Sequence, residues 1–156
     1  MITPDDMLYD GKRNIVIGFG IYRGVKWAIL TRSIYTYPLA YIQNVWGFSN
    51  DDVWDILDDC INVNGGVSFY DPCYWNVEDG DIYIGWDYGH ASDLAINKDG
   101  EVEWDGKKWT YSEILNQIET AIDNIYHNMS LLTEAFEYKN QIGKLQEKLD
   151  KIKDLF

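Results

Sequence analysis

Asn14-Ile15-Val16-Ile17-Gly18-Phe19-Gly20-Ile21-Tyr22-Arg23-Gly24-Val25-Lys26-Trp27-Ala28-Ile29-Leu30-Thr31 is the stretch whose reading decides the fold class. Its β-branched and aromatic residues favour extended backbone. Arg23-Gly24 supplies a two-residue turn, so the two runs pair as a hairpin. Downstream, Ser33 to Val45 is rich in Tyr and Ile, and Pro38 interrupts it. A proline donates no ladder hydrogen bond, which predicts an edge strand or a loop there. Asn64-Gly65-Gly66 then turns the chain into Val67-Ser68-Phe69-Tyr70, Asp71 to Gly80 reads as a loop, and Asp81 to Tyr88 reads as a strand. In that strand Ile82, Ile84 and Trp86 alternate with Tyr83, Gly85 and Asp87. Gly100 to Trp104 adds a short strand.

Helical signals interrupt and then end this pattern. Ser49 or Asn50 can cap a short helix whose first turn holds Asp51 and Asp52, where the helix dipole favours anions. Val53, Ile56, Leu57 and Cys60 form its apolar stripe; Asp55, Asp58 and Asp59 fall off it, the last two opposing the dipole. Near the C-terminus Thr110-Tyr111-Ser112-Glu113 is a capping box. Ile114, Ile118, Ala121, Ile122, Ile125 and Met129 form a stripe after it, and weak propensity at His127 to Ser130 predicts a break. Leu131, Ala135, Tyr138, Ile142, Leu145, Leu149, Ile152 and Phe156 then recur at alternating spacings of 4 and 3, a heptad seam. The seam predicts self-association as a homodimer through Leu131, Tyr138, Ile142, Leu145, Leu149 and Ile152, or packing on the chain's own preceding helix. Gly143 inside it costs about 1 kcal/mol of helix propensity. The expected fold is α+β: a small, twisted, mainly antiparallel sheet with one short helix, followed by a long C-terminal helix or helical pair. Residues 1–109 form an acidic, aromatic-rich body and residues 110–156 the helical segment, with the seam at 131–156.

Charge narrows the function classes. The 156 residues carry 26 acids against 13 Lys and Arg, a net charge of −13. Such a chain lacks the basic face that counterion release from a phosphate backbone requires, so direct nucleic-acid binding is excluded, and anionic membrane surfaces are disfavoured. There is no run of 18 apolar residues, Met1-Ile2-Thr3-Pro4-Asp5-Asp6 lacks a basic start, and two cysteines make no disulfide framework. A soluble cytoplasmic protein is expected. No Lys or Arg occurs between Arg32 and Lys98, a span of 65 residues with 11 acids. An acidic surface is an ordinary device for solubility. This asymmetry also predicts an anionic face that imitates nucleic acid and docks in a basic groove, with Asp51, Asp52, Asp55, Asp58, Asp59, Glu78, Asp79 and Asp81 as contacts and exposed Tyr or Trp as anchors.

The densest polar motif is Gly85-Trp86-Asp87-Tyr88-Gly89-His90-Ala91-Ser92-Asp93. Asp87, His90 and Asp93 are spaced by three. On a strand ending in a tight turn they can converge as two carboxylates and an imidazole, a set able to hold a divalent metal or to orient a general base. The plainer arrangement has Asp87 and Asp93 accepting turn amides around Gly89 while His90 tethers the loop. His127 reads as a surface or packed residue and Cys60 as a small buried hydrophobe. Cys73 lacks a basic neighbour to activate it. Ser68 is outside a G-x-S-x-G elbow. Gly18-Phe19-Gly20 with Gly24 lacks dinucleotide spacing. No phosphate loop, zinc spacing or EF-hand loop occurs, and no cofactor is expected.

Two of these stretches, Asn64-Gly65-Gly66-Val67-Ser68-Phe69 and Tyr83-Ile84-Gly85-Trp86-Asp87-Tyr88-Gly89-His90-Ala91-Ser92-Asp93, resemble a family of small uncharacterised proteins from phages, prophages and plasmids. The family pattern is a Gly-Gly-Leu-Thr-Phe-Ser stretch, a variable loop, then Gly-Phe-Asp-Cys-Ala-His-Ala-Gly-Asp, often with a helical C-terminal segment. Pro38-Leu39-Ala40-Tyr41 resembles its upstream part, so the likeness spans about residues 35 to 125. This chain has Tyr88 and Gly89 where the pattern has Cys-Ala, and Ser92 where it has Gly. The resemblance implies a mobile-element origin and carries over Asp87, His90 and Asp93. With size and acidity, it leads to the expectation of an inhibitor that blocks a host nucleic-acid-handling protein, for example an anti-CRISPR protein acting on a Cas nuclease. The alternatives are a small metal-assisted hydrolase centred on Asp87, His90 and Asp93, or a structural phage protein built on the coiled coil.

Overall fold

A computed structural model describes residues 3–10, 15–32, 35–72 and 80–155. Strands β1 (Ile15–Tyr22) and β2 (Val25–Thr31) form the expected hairpin. Arg23 and Gly24 both have positive φ, 50° and 79°. That is the twist a two-residue hairpin turn needs, and glycine accepts it without a Cβ penalty. β3 (Tyr35–Thr36), β4 (Pro38–Gln43), β5 (Phe69–Pro72) and β6 (Ile82–Asp87) follow, then β7 (Ala95–Asn97) and β8 (Val102–Trp104). The main sheet is antiparallel with strand order β1-β2-β4-β6-β5, and a second sheet has the order β3-β7-β8.

Pro38 does not mark an edge or a loop. It opens β4, which lies centrally between β2 and β6. As the first residue of the strand, Pro38 offers its carbonyl, which accepts from the Tyr88 amide at 3.0 Å. Its missing N–H therefore falls where the ladder begins.

The helices are α1 (Pro4–Met7), α2 (Asn50–Asp52), α3 (Asp58–Ile61), α4 (Tyr111–His127) and α5 (Met129–Asp154). A π turn at Val53–Leu57 joins α2 to α3, making one continuous helix over residues 50–61. Ser49 caps it by accepting from the Asp52 amide. The wider π turn shifts its buried stripe to Val53, Leu57 and Ile61, spaced by four. Cys60 is thereby exposed rather than buried. Cys73 lies outside the described residues.

One face of the main sheet meets helix 50–61 and α4. Trp27, Ile29, Ala40, Ile42, Ile84 and Trp86 share a core with Ile114, Ile118, Ile122 and Ile125 of α4. The opposite face holds a smaller cluster of Leu39, Tyr41 and Tyr83, so β6 is buried on both faces and not on one only. The fold is α+β. The electrostatic boundary at residue 110 is not a packing boundary, because α4 completes the body's core. The packing boundary lies in α5: Leu132 is buried and Phe136 packs on the core, whereas every described residue from 140 on is exposed. Among the described residues, no helix is long and apolar enough to cross a membrane.

Candidate functional site

The turn that follows β6 is a polar knot. Asp87 sits at the strand end, and its Oδ1 accepts from the Gly89 amide at 3.0 Å. Its Oδ2 accepts from the Ser68 hydroxyl at 3.2 Å. Asp93 is 2% exposed and saturated. Its Oδ2 accepts from the His90 amide at 3.0 Å and from Asn64 Nδ2 at 2.9 Å, and its Oδ1 from Trp109 Nε1 at 2.9 Å. A buried carboxylate is tolerable when donors surround it in this way. Trp109 stacks edge-on against Tyr88, whose hydroxyl accepts from Trp86 Nε1 and donates to Gln117 of α4. Burial pushes the Tyr88 phenol well above its usual pKa, so it stays a neutral donor.

Of the three residues spaced by three, the structure brings Asp87 and the His90 ring together. His90 Nε2 lies 3.3 Å from Asp87 Oδ1 but has no hydrogen-bond partner among the described residues. Asp93 points inward to Asn64 and Trp109, so only one carboxylate is near the imidazole. Ser68, Asp87 and His90 are in sequence, with the carboxylate in the middle. A nucleophilic relay needs the imidazole between hydroxyl and carboxylate. Among the described residues no group of three His, Cys, Asp or Glu side chains is placed to hold a metal. The arrangement serves to lock a turn. Gly65, at φ 68°, lies against His90, and a methyl there would run into the imidazole. The Asn64-Gly65-Gly66 turn and the Gly85–Asp93 segment, far apart in sequence, thus form one unit.

The acids proposed as contacts divide by position. Asp51, Asp55 and Asp59 are exposed along helix 50–61, spaced by four residues, and Asp52 is half-buried. Asp58 turns inward: its Oδ1 accepts from the Val67 amide at 2.5 Å, which binds the helix end to the 64–68 turn. That bond offsets an anion at the wrong end of the helix dipole. Asp81 accepts from Gln43 Nε2 at 2.7 Å. Glu78 and Asp79 lie outside the described residues. Lys139 of α5 reaches Asp55 Oδ2 at 2.7 Å and Asp52 Oδ1 at 3.7 Å. Its pKa is raised, first by the hydrogen bond to Asp55.

Trp54 is a surface residue that the sequence reading did not single out. It stands exposed among these aspartates. The available signal was its place beside the apolar stripe and not on it. On α5, Leu131, Tyr138, Ile142, Leu145, Leu149 and Ile152 are all exposed, from 44% to 67%. Among the described residues, no other helix covers them. No family model, curated protein or solved structure matches the chain.

Proposed function

We infer that this protein acts by binding another protein, and that its acidic helix is the contact surface. The observation that carries this reading is the row of Asp51, Asp55 and Asp59 on the exposed side of helix 50–61, with Trp54 exposed beside it. Carboxylates repeating along a rigid rod suit a groove lined by Lys and Arg, where complementary potentials steer encounter. An exposed tryptophan beside such a row is the residue type that most often anchors an interface. The body is rigid beneath this row, because Val53, Leu57 and Ile61 are buried on the other side.

The partner best suited to this surface is a nucleic-acid-handling protein with a basic groove, whose occupancy by the acidic helix excludes its substrate. The phage-like motifs at 64–69 and 83–93 support a setting in a mobile element and a host-defence target such as a Cas nuclease. Hydrolysis at Asp87 and His90 is less well supported, since Asp93 is committed to three donors of the fold.

The test is capture of partners from host lysate by tagged protein at low and at high salt, with Asp51→Lys/Asp55→Lys/Asp59→Lys beside the native chain. A nucleic-acid-binding partner held at low salt, released at high salt and lost in the triple variant is expected, because exposed charges are screened. Undiminished capture by the triple variant sinks the reading.

A further inference from the structure

α5 leaves the body carrying an apolar seam that no described element of its own chain covers. The side of α5 facing the body is fixed by its contacts. Leu132 and Phe136 pack on the core, and Lys139 reaches Asp55. Asn140, Gly143 and Glu147 line a cleft of about 590 Å³ shared with Ser49 and Asp51. At 3.6 residues per turn the seam lies on the opposite side of the helix. Its heptad places Ile142 and Leu149 at a, and Tyr138, Leu145 and Ile152 at d.

From Tyr138 on, the positions that flank the seam are Lys139, Gln146 and Lys153 at e, and Gln141, Lys148 and Leu155 at g. None of these is acidic; the one acidic flank, Glu134 at g, lies in the turn before, where α5 still packs on the body. The acids of this stretch, Glu147, Asp150 and Asp154, fall at the outer positions b and f. Flanking charges choose the partner and orientation of a coiled coil. A second copy of the chain fits badly on that criterion. Paired in parallel, Lys148 meets Lys153 of the other copy, and the one attraction, Glu134 toward Lys139, falls on a lysine already held by its own Asp55. Paired antiparallel, with Ile142 layered on Ile152 and Leu145 on Leu149, Lys148 meets its own counterpart and Lys139 faces Lys153. Carboxylates opposite would turn each of these repulsions into an attraction.

We propose that the seam of α5 docks an amphipathic helix of another protein whose own heptad flanks are acidic, and not a second copy of this chain. This stands apart from the reading of helix 50–61, which uses another surface and the opposite sign of charge; either fails without the other.

The test uses the full chain and two synthetic helical peptides of about four heptads. Both carry Ile at a and Leu at d; one has Glu at every e and g position, the other Lys. Fluorescence polarisation is expected to show the Glu-flanked peptide binding, and the Lys-flanked peptide binding at least about tenfold more weakly. Added salt narrows the gap. Lys148→Glu/Lys153→Glu reverses the preference. Leu145→Ser/Leu149→Ser removes binding of the Glu-flanked peptide while the thermal transition of the body stays in place. Sedimentation of the chain alone at micromolar concentration is expected to show a monomer. A stable dimer, equal binding of the two peptides, or binding of neither overturns the proposal.

Discussion

α4 and α5 are consecutive helices that each carry an apolar stripe, and the two stripes have opposite fates. Ile114, Ile118, Ile122 and Ile125 of α4 are completely buried under the main sheet, whereas Ile142, Leu145 and Ile152 of α5 are more than half exposed. The α4 stripe is the more strongly amphipathic, whereas the α5 stripe is a heptad on a more polar helix, and the neighbourhoods differ too. The capping box at Thr110 and Glu113 fixes where α4 begins, and Gln117 holds it to Tyr88 of the sheet. Among the described residues, α5 is tied down through its first turns, by Met129, Leu132 and Phe136 in the core and by Lys139 to Asp55. An amphipathic pattern shows that a face calls for burial, and not whether the burial is within the chain.

The sharpest way to break this comparison is to truncate one residue in each stripe. Ile118→Ala is expected to lower the unfolding free energy by about 4 kcal/mol, since it empties a fully buried site. Leu145→Ala is expected to change it by less than about 0.5 kcal/mol, since it removes exposed surface. Equal losses in urea titrations of the two variants would show that α5 is covered in solution.

A smaller effect is expected at the knot that holds the sheet to the start of α4. Asp93→Ala leaves the His90 amide, Asn64 and the Trp109 indole without their acceptor. The expected loss is about 3 kcal/mol, with a change in Trp109 emission. His90→Ala is expected to be milder, because the imidazole Nε2 has no hydrogen-bond partner among the described residues. The reverse order would return His90 to consideration as a working group.

The α4 cap is expected to contribute less again. Thr110→Ala removes the acceptor of the Glu113 amide and costs about 1 kcal/mol. The cap is also sensitive to pH. The Lys107 hydrogen bond, then those from Thr110, hold the Glu113 carboxyl below its ordinary pKa. A lowered folded pKa contributes stability above the unfolded value of about 4.3, and that stability is lost as pH falls through the folded value. The gap in melting temperature between the native chain and Glu113→Gln is therefore expected at pH 7 and should close in acid. A gap independent of pH would remove the carboxylate from the explanation.

The smallest effect is expected at the tether. Lys139→Ala should leave the body's melting point unchanged and raise amide exchange only in the first exposed turns of α5, near residues 139–145. The raised Lys139 pKa keeps its ammonium charged through neutral pH, and its part in the tether is lost as pH rises beyond the ordinary lysine range. Unaltered exchange in the variant would show that the apolar contacts of Met129, Leu132 and Phe136 hold the arm without the ion pair.

Much of the architecture was legible because it is local. The Arg23-Gly24 hairpin, the Thr110–Glu113 cap, the break at Asn128 and the regular seam each follow from residues within a few positions of one another. Pro38 misled because strand order is not a local property: a proline at the first position of a central strand reads like one that ends a strand. Cys60 misled because the π turn at Val53–Leu57 shifts the helical phase by one residue. Of the candidate site, the Asp87, His90, Asp93 spacing was visible, but the direction of Asp93 was not. Trp109 and Asn64, the groups that draw it inward, lie 16 and 29 residues away.

By itself, then, the sequence determined the α+β class, the uneven charge and the existence of two amphipathic C-terminal helices, because composition and short-range periodicity fix backbone preference and apolar faces. Only the tertiary structure decided which face is covered, which aspartates face solvent and which serve the fold. Burial depends on what the rest of the chain brings alongside: Asn64 and Trp109 to Asp93, the Val67 amide across a turn to Asp58, and, among the described residues, nothing over the seam of α5.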